Sequence, residues 1–577
     1  MTAKCGTSCR VDRSSHRNPL TTKVHEMTNE AVHPPVVVLG NGPVGQTTAL
    51  MLARWGIRSL ILDNRPERDP IGSKAICQQR DVLEAWDAIG VGRQLADEGV
   101  TWGCARTFYR DHEVFAQTFV DQGASSFPPF VNISQARTEE LLDVQIAASD
   151  LVEVRWNHHV DGVRHDDSRT YVDVTTPQGH VVVEADYCVV ALGSRAGRIR
   201  EQLGISFEGR SFDDKFLICD IQADLPDWAH ERRFYFDPEW NPGRQVLIHP
   251  CPDSTYRIDW QVPGDYDLAA EEASGDLDRR IRQIIGDVEY TITWKSVYRF
   301  HSRLADRMRM GRVLLAGDAA HVVSPFGARG LNSGVADAEN AAWKLAFVIK
   351  GWASADLLET YHDERHAAAS ENIDVTTATM DFLVPQNKVQ SDFRTRILSA
   401  CASQEQLRSH VDSGRLAEPY WYTTSPIITP DPGHPFAGRP PKGSVPQPGP
   451  GILLPDTPVD SAFTSGATRL RQIARDGLLL LVGEAVDAGE LRDRASTETP
   501  VPTRVERFAS LDNTGALIDA MRPVPHDIWV IRPDSYVSAV LDSRQPELLG
   551  PALQRAVGAA ATTKSAHPRR AYETTPS

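Results

Sequence analysis

The sequence predicts an α/β fold in which a parallel sheet with helices is interrupted by an antiparallel sheet and followed by a second, smaller α/β domain. Three observations predict it. Residues 36–62 carry the strand, turn, helix, strand pattern of a βαβ unit. Residues 205–300 alternate between polar and apolar positions and contain turn signals such as 241–243, which is typical of antiparallel strands. Residues 478–540 contain three more strand patterns.

The βαβ unit begins at Val36–Leu39, a short apolar run bounded by Pro35 and Gly40. Such a run is typical of a strand buried on both faces of a parallel sheet. Helical spacing follows over 46–55, and a second apolar run at 59–62 predicts the next parallel strand.

The remaining elements are predicted in chain order. Alternation at 152–154, 171–174 and 180–183 is typical of antiparallel strands, whereas the continuous apolar runs at 187–190 and 313–316 predict buried strands. Residues 333–350 predict a long helix with one apolar face. Twelve of the 38 prolines lie between Pro419 and Pro458, and this density predicts an extended connection.

These patterns divide the chain into five parts. Residues 1–34 are polar, aperiodic and without the apolar core of a secretory signal, so we expect a disordered extension. The predicted boundaries are 35–204 and 296–400 for a nucleotide-binding domain, 205–295 for the inserted sheet, 401–460 for a helical and proline-rich connection, and 461–577 for the C-terminal domain.

Composition excludes several classes of function. The chain of 577 residues has 77 acidic and 61 basic residues and a net charge of −16, which argues against nucleic acid and against a basic membrane anchor. No apolar stretch approaches the length of a membrane-spanning helix. The eight cysteines are scattered without a C-x-x-C pair, so we expect reduced thiols in the cytoplasm and no metal site.

Residues 40–45 form a glycine-rich turn between the first strand and the first helix. Gly40 permits the tight turn, Gly42 lets a pyrophosphate approach the backbone, and Gly45 lets helix and strand pack closely. The helix N-terminus then offers N–H donors to the anion. Asp63 ends the second strand, where a carboxylate accepts from a ribose hydroxyl. The motif predicts a Rossmann-like site for FAD or NAD rather than NADP.

A second motif spans residues 311–334. A strand ends in Gly317-Asp318, a loop containing Pro325 follows, and a long helix begins near Asn332. The carboxylate can accept from a ribityl hydroxyl, and the positive helix N-terminus can stabilise negative charge on reduced flavin. The two motifs together therefore predict FAD.

At these residues the sequence resembles the class A flavoprotein aromatic hydroxylases, which share the para-hydroxybenzoate hydroxylase fold. It is similar in particular to the branch of 3-(3-hydroxyphenyl)propionate hydroxylases and polyketide hydroxylases. The resemblance covers residues 36 to about 390 and the tail. It rests on the glycine turn with Asp63, on 311–343, on 232–238 with 243–262, and on 532–537.

The resemblance implies non-covalent FAD, NAD(P)H as reductant, O2 as co-substrate, a flavin hydroperoxide as hydroxylating species and a small aromatic substrate. Asp318 would hold the ribityl chain and Pro325 would lie beside the flavin. Lys74 and Gln135 match positions near the cofactor, although a surface lysine and a turn residue are the alternatives. The implied cofactor-binding residues are Gly40, Gly42, Pro43, Gly45, Asp63, Lys74, Gln135, Gly317, Asp318, Pro325, Gly330, Leu331 and Asn332.

The chain departs from the family pattern after the strand at 187–190. The family has an aspartate where this sequence has Leu192, so the resemblance leaves the reductive step with NAD(P)H open. The tail resembles a thioredoxin-like domain but contains no cysteine, so it cannot perform dithiol chemistry. We expect it to serve packing or a homodimer.

The inserted sheet offers candidates for the substrate site. Alternation places Arg257 and Asp259 on one face of a hairpin strand, and His249 joins them if it pairs with Arg257. A phenol could be oriented and deprotonated there. The alternative is that all three side chains form hydrogen bonds within the sheet and take no part in chemistry.

The alternatives for the function of the whole chain are a non-hydroxylating oxidase or dehydrogenase of the same fold, and a non-catalytic assembly protein.

Overall fold

A six-stranded sheet organises the predicted nucleotide-binding part of the chain, residues 35–204 and 296–400, which we call the cofactor half. The computed structural model describes residues 33–69, 75–118, 125–414, 416, 418–433, 435–436, 438, 446–464 and 466–559. Strands and helices are numbered in chain order. The parallel sheet has the spatial order β17 (Arg309–Met310), β18 (Val313–Leu315), β11 (Tyr187–Val190), β1 (Val36–Leu39), β2 (Ser59–Leu62) and β7 (Val152–Arg155).

The predicted buried strands are confirmed in this sheet, and one prediction is wrong. Residues 152–154 belong to β7, which pairs in parallel with β2, whereas the sequence pattern favoured an antiparallel strand. The reason is that β7 is the edge strand, so alternate side chains face solvent even though the sheet is parallel. The β17 end of the sheet pairs antiparallel with β18.

The second sheet has eight strands and carries the substrate-side candidates. Its spatial order is β19 (His321–Val322), β16 (Tyr290–Ala305), β12 (Phe207–Ala223), β15 (Thr255–Val262), β14 (Gln245–Cys251), β13 (Glu231–Phe236), β4 (Cys104–Tyr109) and β5 (His112–Thr118). Neighbouring strands are antiparallel except β13 and β4. The sheet therefore also recruits residues 104–118, which the sequence pattern placed with the nucleotide-binding part.

Two small sheets and fifteen helices complete the described chain. The small sheets are β10 (Gly179–Ala185), β9 (Thr170–Thr176) and β8 (His159–His165), and β3 (Cys77–Gln79) with β6 (Phe130–Asn132). The described helices are α1 (Pro43–Arg54), α2 (Arg80–Asp87), α3 (Gly92–Glu98), α4 (Gln135–Ala147), α5 (Gly197–Gln202), α6 (Leu268–Ser274), α7 (Asp276–Ile285), α8 (Arg329–Ile349), α9 (Glu359–Leu383), α10 (Lys388–Ala400), α11 (Leu470–Ala474), α12 (Ala488–Glu498), α13 (Phe508–Leu511), α14 (Ala516–Met521) and α15 (Leu549–Ala556).

The C-terminal part is a four-stranded sheet with helices on both faces. Its order is β21 (Thr503–Arg507), β20 (Leu478–Val482), β22 (Asp527–Ile531) and β23 (Val537–Asp542). One apolar cluster contains Leu553 of α15 and another contains Leu517 of α14, on opposite sides of β20. The mixed α/β class is confirmed, whereas the thioredoxin-like assignment of this part stays a prediction.

Buried charges join this C-terminal part to the helices of the cofactor half. Arg532 donates to both carboxylate oxygens of Glu364 in α9, at 2.5 and 3.0 Å, and Lys344 in α8 donates to Glu364 at 2.7 Å. Asp534 also accepts from Arg532. Arg532, Lys344 and Glu364 have no exposed side-chain surface, so their charges are compensated by one another and by Asp534 rather than by solvent.

No helix of the described ranges combines the length and the apolar composition that a membrane crossing requires.

Candidate functional site

The glycine turn has the backbone geometry of a dinucleotide-binding turn. Gly40 has φ +102°, a conformation that strongly favours glycine. A Cβ on Gly45 would lie 1.9 Å from the Gly40 carbonyl oxygen, so only glycine lets α1 start this close to β1. A Cβ on Gly42 would meet nothing within 4 Å, which leaves open space at the N-terminus of α1. Pro43 is the first residue of the helix, where its missing N–H costs nothing.

Asp63 is buried at the end of β2 and is already fully hydrogen-bonded. Its carboxylate accepts from the Asn41 N–H at 2.8 Å and from the backbone and guanidinium of Arg65. Burial alone would raise the pKa of Asp63, but these hydrogen bonds lower it below its ordinary value. A carboxylate has about four acceptor positions. A ribose hydroxyl would therefore have to displace the half-buried Arg65, a residue that the sequence pattern did not single out.

The Gly317-Asp318 turn is held by a buried carboxylate in α8. Gly317 has φ +60°, and its N–H donates to Asp337 Oδ2 at 2.9 Å. The same carboxylate bonds His321 Nε2 at 2.7 Å and Arg365 Nε at 2.6 Å. Burial would raise the pKa of Asp337, but His321 and Arg365 lower it to about 2. The Asp318 side chain is exposed, so a ligand such as the ribityl chain of a flavin could reach it.

The loop that follows brings Pro325 to the surface and ends in a left-handed residue. Ala328 has φ +56°, and its N–H donates to the Pro325 carbonyl at 2.9 Å, which closes the loop just before α8 begins at Arg329. A Cβ on Gly330 would have no neighbour closer than 3.9 Å, and Leu331 is partly buried. The backbone of these residues therefore lies beside free space at the N-terminus of α8.

The side chain of Asn332 is occupied by protein. Its Oδ1 accepts from the Gln79 N–H at 3.0 Å, and its Nδ2 donates to the carbonyls of Cys77 and Ala328. These bonds join β3 to the start of α8. Any contact of Asn332 with a flavin would therefore come from its backbone, as the resemblance implies.

Gln135 contacts the segment that leads into β3. Gln135 is the first residue of α4, accepts from the Ala75 N–H at 3.3 Å and donates to Glu139 at 2.8 Å. It therefore holds the chain that enters β3. Lys74 and residues 1–32 lie outside the described residues, so the predictions for them stay predictions.

The residues of this half fit a bound flavin nucleotide. Two buried side chains next to the turns keep polar atoms without a hydrogen-bond partner among the described residues: both amide atoms of Asn41, and Nε2 of Gln79. Unpaired buried polar atoms are costly and are normally satisfied by water or ligand. Together with the open space at Gly42 and Gly330, they leave room and hydrogen-bonding groups that a flavin nucleotide could use.

Leu192 lies beside the glycine turn. A Cβ on Gly40 would lie 2.5 Å from the Ala191 carbonyl oxygen and 3.3 Å from the Leu192 Cα, so the chain after β11 contacts the turn directly. The leucine side chain is partly buried and packs against the main apolar cluster. The position is therefore beside the nucleotide turn, but its side chain offers no hydrogen bond.

The substrate-side candidates meet the condition under which the sequence placed all three on one face. His249 of β14 pairs with Arg257 of β15, so both lie on the same face as Asp259. Arg257 forms a buried two-pronged ion pair with Asp220 of β12, at 2.8 and 2.9 Å. Asp220 was missed because its proximity depends on the pairing of β12 with β15, which no local pattern reveals.

His249 and Asp259 each keep one buried atom, Nδ1 and Oδ1, without a hydrogen-bond partner among the described residues. Burial lowers the pKa of His249 well below its ordinary value, and the charges of Arg232 and Arg257 lower it further. Burial raises the pKa of Asp259 to about 7 against the opposing charge of Arg257. Asp259 can therefore exchange a proton near neutral pH, whereas His249 is neutral there and can accept a hydrogen bond.

This face of the sheet points toward the cofactor half. Asn132 of β6 donates to the Pro250 carbonyl at 2.9 Å, and Trp102 lies 6.4 Å from His249, measured between ring centroids. Phe234 of β13 and Phe326 of the loop before α8 share one apolar cluster. The structure thus brings His249, Arg257 and Asp259 to the side of the sheet that packs on β6 and on the loop of Pro325.

The comparisons with known proteins agree with this geometry. Residues 33–376 match the family described as the FAD binding domain. The chain is 29% identical to the para-nitrophenol 4-monooxygenase of Pseudomonas sp. (strain WBC-3) over 357 residues, 60% of this chain and 86% of the relative. It is 29% identical to the 6-methylpretetramide 4-monooxygenase of Streptomyces rimosus over 535 residues, 89% of this chain and 92% of the relative.

One solved structure shows the same arrangement over nearly the whole chain. It is a ternary complex of aklavinone-11 hydroxylase with FAD and aklavinone, with a TM-score of 0.69, 25% sequence identity, and coverage of 91% of this chain and 99% of that chain. The matched family covers more than half of the sequence and includes both turns. The chain therefore belongs to the FAD binding domain family.

Proposed function

We propose that this chain is an FAD-dependent monooxygenase that hydroxylates a phenolic or polyketide-like aromatic substrate with NAD(P)H and O2. One observation carries the proposal: the two cofactor turns, far apart in sequence, meet at Val44 in the first turn of α1. A Cβ on Gly317 would lie 3.1 Å from Val44 Cγ2, and a Cβ on Gly334 of α8 would lie 2.6 Å from the same atom. This proximity supports one nucleotide site that is built from both motifs.

When bound, FAD would supply the redox chemistry that couples oxidation of NAD(P)H to insertion of one oxygen atom of O2 into the substrate, with the other oxygen atom released as water. The chain would supply position, charge and proton transfer. The N-termini of α1 and α8 would face the pyrophosphate and the flavin pyrimidine with their N–H groups. The Asp337 carboxylate fixes the backbone of Gly317 and thereby the direction of Asp318.

The substrate would bind against the face that carries His249 and Asp259. An ionised phenol is more electron-rich than its neutral form, so removal of the phenol proton favours attack by an electrophilic oxygen. His249 Nδ1 is unpaired and the ring is neutral near pH 7, so it would accept a hydrogen bond from the phenol hydroxyl. The proton itself would go more readily to Asp259, whose pKa of about 7 is far better matched to it than the lowered pKa of His249. Arg257, held by Asp220, would keep the local charge fixed while the proton moves.

The substrate class is supported by the relatives named above. One of them acts on a nitrophenol, another on a polycyclic pretetramide, and the neighbouring structure binds aklavinone. All three substrates named there are aromatic, which supports an aromatic substrate for this chain. The described cysteines are all free thiols, which supports a reducing cytoplasmic location. A homodimer built on the C-terminal part remains our proposal for its role.

The proposal is tested with purified protein and 18O-labelled O2. Oxidation of NADH or NADPH should accelerate when a phenol is added, and the product should carry one 18O atom. Flavin in the protein together with peroxide formation, and no labelled product from any phenol tested, would instead support the oxidase alternative. Protein that never binds flavin would overturn the proposal.

A further inference from the structure

Arg365 of α9 joins three segments of the chain through one buried side chain. Its Nε donates to Asp337 Oδ1 at 2.6 Å, and one terminal nitrogen donates to the Tyr422 hydroxyl at 2.7 Å. The other terminal nitrogen donates to the carbonyl oxygen and to Oγ of Ser333, at 3.2 and 3.3 Å. Each nitrogen of the planar guanidinium thus has its own partner, so the orientation of the plane depends on all three.

Two of these partners hold the two segments that we expect to meet the flavin. Asp337 passes the contact on to the cofactor turn, because its other oxygen accepts from the Gly317 N–H at 2.9 Å. Ser333 follows Asn332 near the start of α8, where the backbone is expected to face the pyrimidine edge. Arg365 therefore supports both segments from behind.

The third partner, Tyr422, belongs to the proline-rich connection and is buried against the C-terminal part. Its ring centroid lies 4.5 Å from that of Tyr536 and 5.2 Å from the Arg532 guanidinium, and its N–H donates to the Gly451 carbonyl at 2.8 Å. Burial raises the pKa of the Tyr422 hydroxyl against the opposing charge of Arg365, so the hydroxyl stays protonated and accepts through a lone pair. The C-terminal part thus fixes the place of this oxygen.

A second hydroxyl of the same connection makes a parallel contact with a different outcome. Ser425 Oγ donates to Glu364 Oε1 at 2.6 Å. Glu364 precedes Arg365 in α9, but its bonds lead to Lys344 and Arg532 of the buried ion cluster. Two hydroxyls three residues apart therefore bind adjacent residues of α9, and the contact of Tyr422 is the one that continues to Gly317 and to the start of α8.

We propose that Tyr422 is a positioning residue for the cofactor: its hydroxyl holds Arg365 in the orientation that fixes the Gly317 turn and the start of α8. The proline-rich connection would thereby set the affinity for FAD, although Tyr422 lies beyond the residues 33–376 that match the FAD binding domain. The inference rests on the proposed function and adds to it a residue outside the cofactor half. Since the N-terminus of α8 would stabilise negative charge on reduced flavin, loosening it should weaken reduced FAD more than oxidised FAD.

The test is Tyr422→Phe, which removes one oxygen and keeps the ring. The dissociation constant of oxidised FAD, measured by titration of protein from which the flavin was removed, should rise about 3- to 10-fold. The affinity for reduced FAD should fall by about a further 3-fold or more, which appears as a more negative reduction potential of the bound flavin. A residue that only stabilises the fold would leave that potential unchanged.

The matched control is Ser425→Ala, which removes the other hydroxyl of the connection. Both variants should lower the urea midpoint, because each leaves a buried charged group with one hydrogen bond fewer. Ser425→Ala should nevertheless keep the dissociation constant of FAD within about 2-fold of the parent and leave the potential unchanged. Equal losses of FAD affinity in the two variants, or no loss in Tyr422→Phe, would overturn the inference.

Amide hydrogen exchange of the parent gives a test that needs no variant. If the contacts of Tyr422 favour FAD binding, FAD must stabilise those contacts in return, because coupling between sites is reciprocal. FAD should therefore slow exchange of the Tyr422 and Gly451 amides, which donate to the carbonyls of Gly451 and Val537, and leave β21 unchanged. This result decides if Tyr422→Phe is not recovered as folded protein. Exchange at both amides that does not respond to FAD would overturn the inference.

The two proposals fail in different ways. Labelled product from a phenol, with equal FAD affinity and potential in Tyr422→Phe and the parent, would overturn the role of Tyr422 alone. FAD affinity and potential that depend on Tyr422, with no labelled product from any phenol, would overturn the proposed hydroxylation and leave the positioning role standing.

Discussion

Asp337 Oδ2 accepts a hydrogen bond from the Gly317 N–H at 2.9 Å, so the side chain of one helix fixes the backbone of the cofactor turn. The other oxygen of the same carboxylate is bound by Arg365 of α9, which packs beside α8. The position of the exposed Asp318 therefore depends on a buried ion pair that does not itself reach the cofactor.

Replacement of this carboxylate should loosen the cofactor turn. Asp337→Asn leaves Arg365 buried without its counter-charge, a change that costs about 3–5 kcal/mol in buried pairs. We expect a lower free energy of unfolding and less FAD per protein, measured by urea unfolding and by the flavin-to-protein absorbance ratio. Asp381→Asn, which removes a partly exposed pair with Arg210, should change neither by much. Full flavin content in the Asp337 variant would contradict the positioning role.

Asp318→Ala should lower FAD occupancy without unfolding the protein. The side chain is exposed, so its loss creates no cavity, but it removes the expected acceptor for a ribityl hydroxyl. The measurement is the flavin content of purified protein and the dissociation constant of added FAD, and we expect a loss of about 10-fold or more. Asp356→Ala, at another exposed aspartate, is the control. Unchanged affinity for FAD would refute the assignment of Asp318.

Leu192→Asp should accelerate flavin reduction if the leucine limits the reaction with NAD(P)H. Leucine cannot accept a hydrogen bond, and an unpaired buried donor costs about 1–3 kcal/mol. If that cost applies to the state poised for hydride transfer, the flavin of the variant should be reduced roughly 5- to 150-fold faster than that of the parent in anaerobic stopped flow. Leu192→Ala removes the leucine without adding an acceptor and should not accelerate. Equal rates in the parent and the aspartate variant would show that Leu192 does not limit reduction.

Asp259 should make the protein less stable as the pH rises toward 8. Its pKa is raised to about 7, so the folded protein keeps a proton that the unfolded chain releases above about pH 4. The stability that this proton provides is present at low pH and is lost as the pH rises through 7. The free energy of unfolding of Asp259→Asn, relative to that of the parent, should therefore rise by about 1–3 kcal/mol between pH 5 and pH 8, measured by urea unfolding.

The control for this prediction is Asp253→Asn, at an exposed position in the turn of the same hairpin. This substitution should change the free energy of unfolding by the same amount at pH 5 and at pH 8. If the difference between the Asp259 variant and the parent were independent of pH, the raised pKa would be contradicted.

Local patterns predicted the elements that carry the cofactor turns. Val36–Leu39 and Val313–Leu315 are continuous apolar runs bounded by turn residues, which favour strands buried on both faces. The glycines between these strands and the helices follow from the need for tight turns. The pairing of His249 with Arg257 was only a condition at the level of sequence, and the structure meets it in a hairpin with a short turn.

Long-range partners could not be predicted in the same way. The contacts of Asp337 with Gly317, of Asp220 with Arg257 and of Arg232 with Ser413 join elements whose proximity depends on the whole fold. Residues 104–118 alternate like any antiparallel hairpin, and nothing local in them shows that they extend the second sheet through a parallel pairing with β13. The contact of Arg65 with Asp63 joins residues only two positions apart and could have been considered from the sequence. It depends, however, on the rotamer of the arginine side chain, which the sequence does not predict.

The ion cluster of Arg532, Glu364 and Lys344 limits how freely the C-terminal part could be exchanged between relatives by recombination. A transplanted tail would bring Arg532 and Asp534 into a host that also needs Glu364 in α9 and Lys344 in α8 at matching positions. A host with apolar residues there would leave a charge buried and unpaired. A chimera designed at the proline-rich connection therefore has to carry the tail and both helices together.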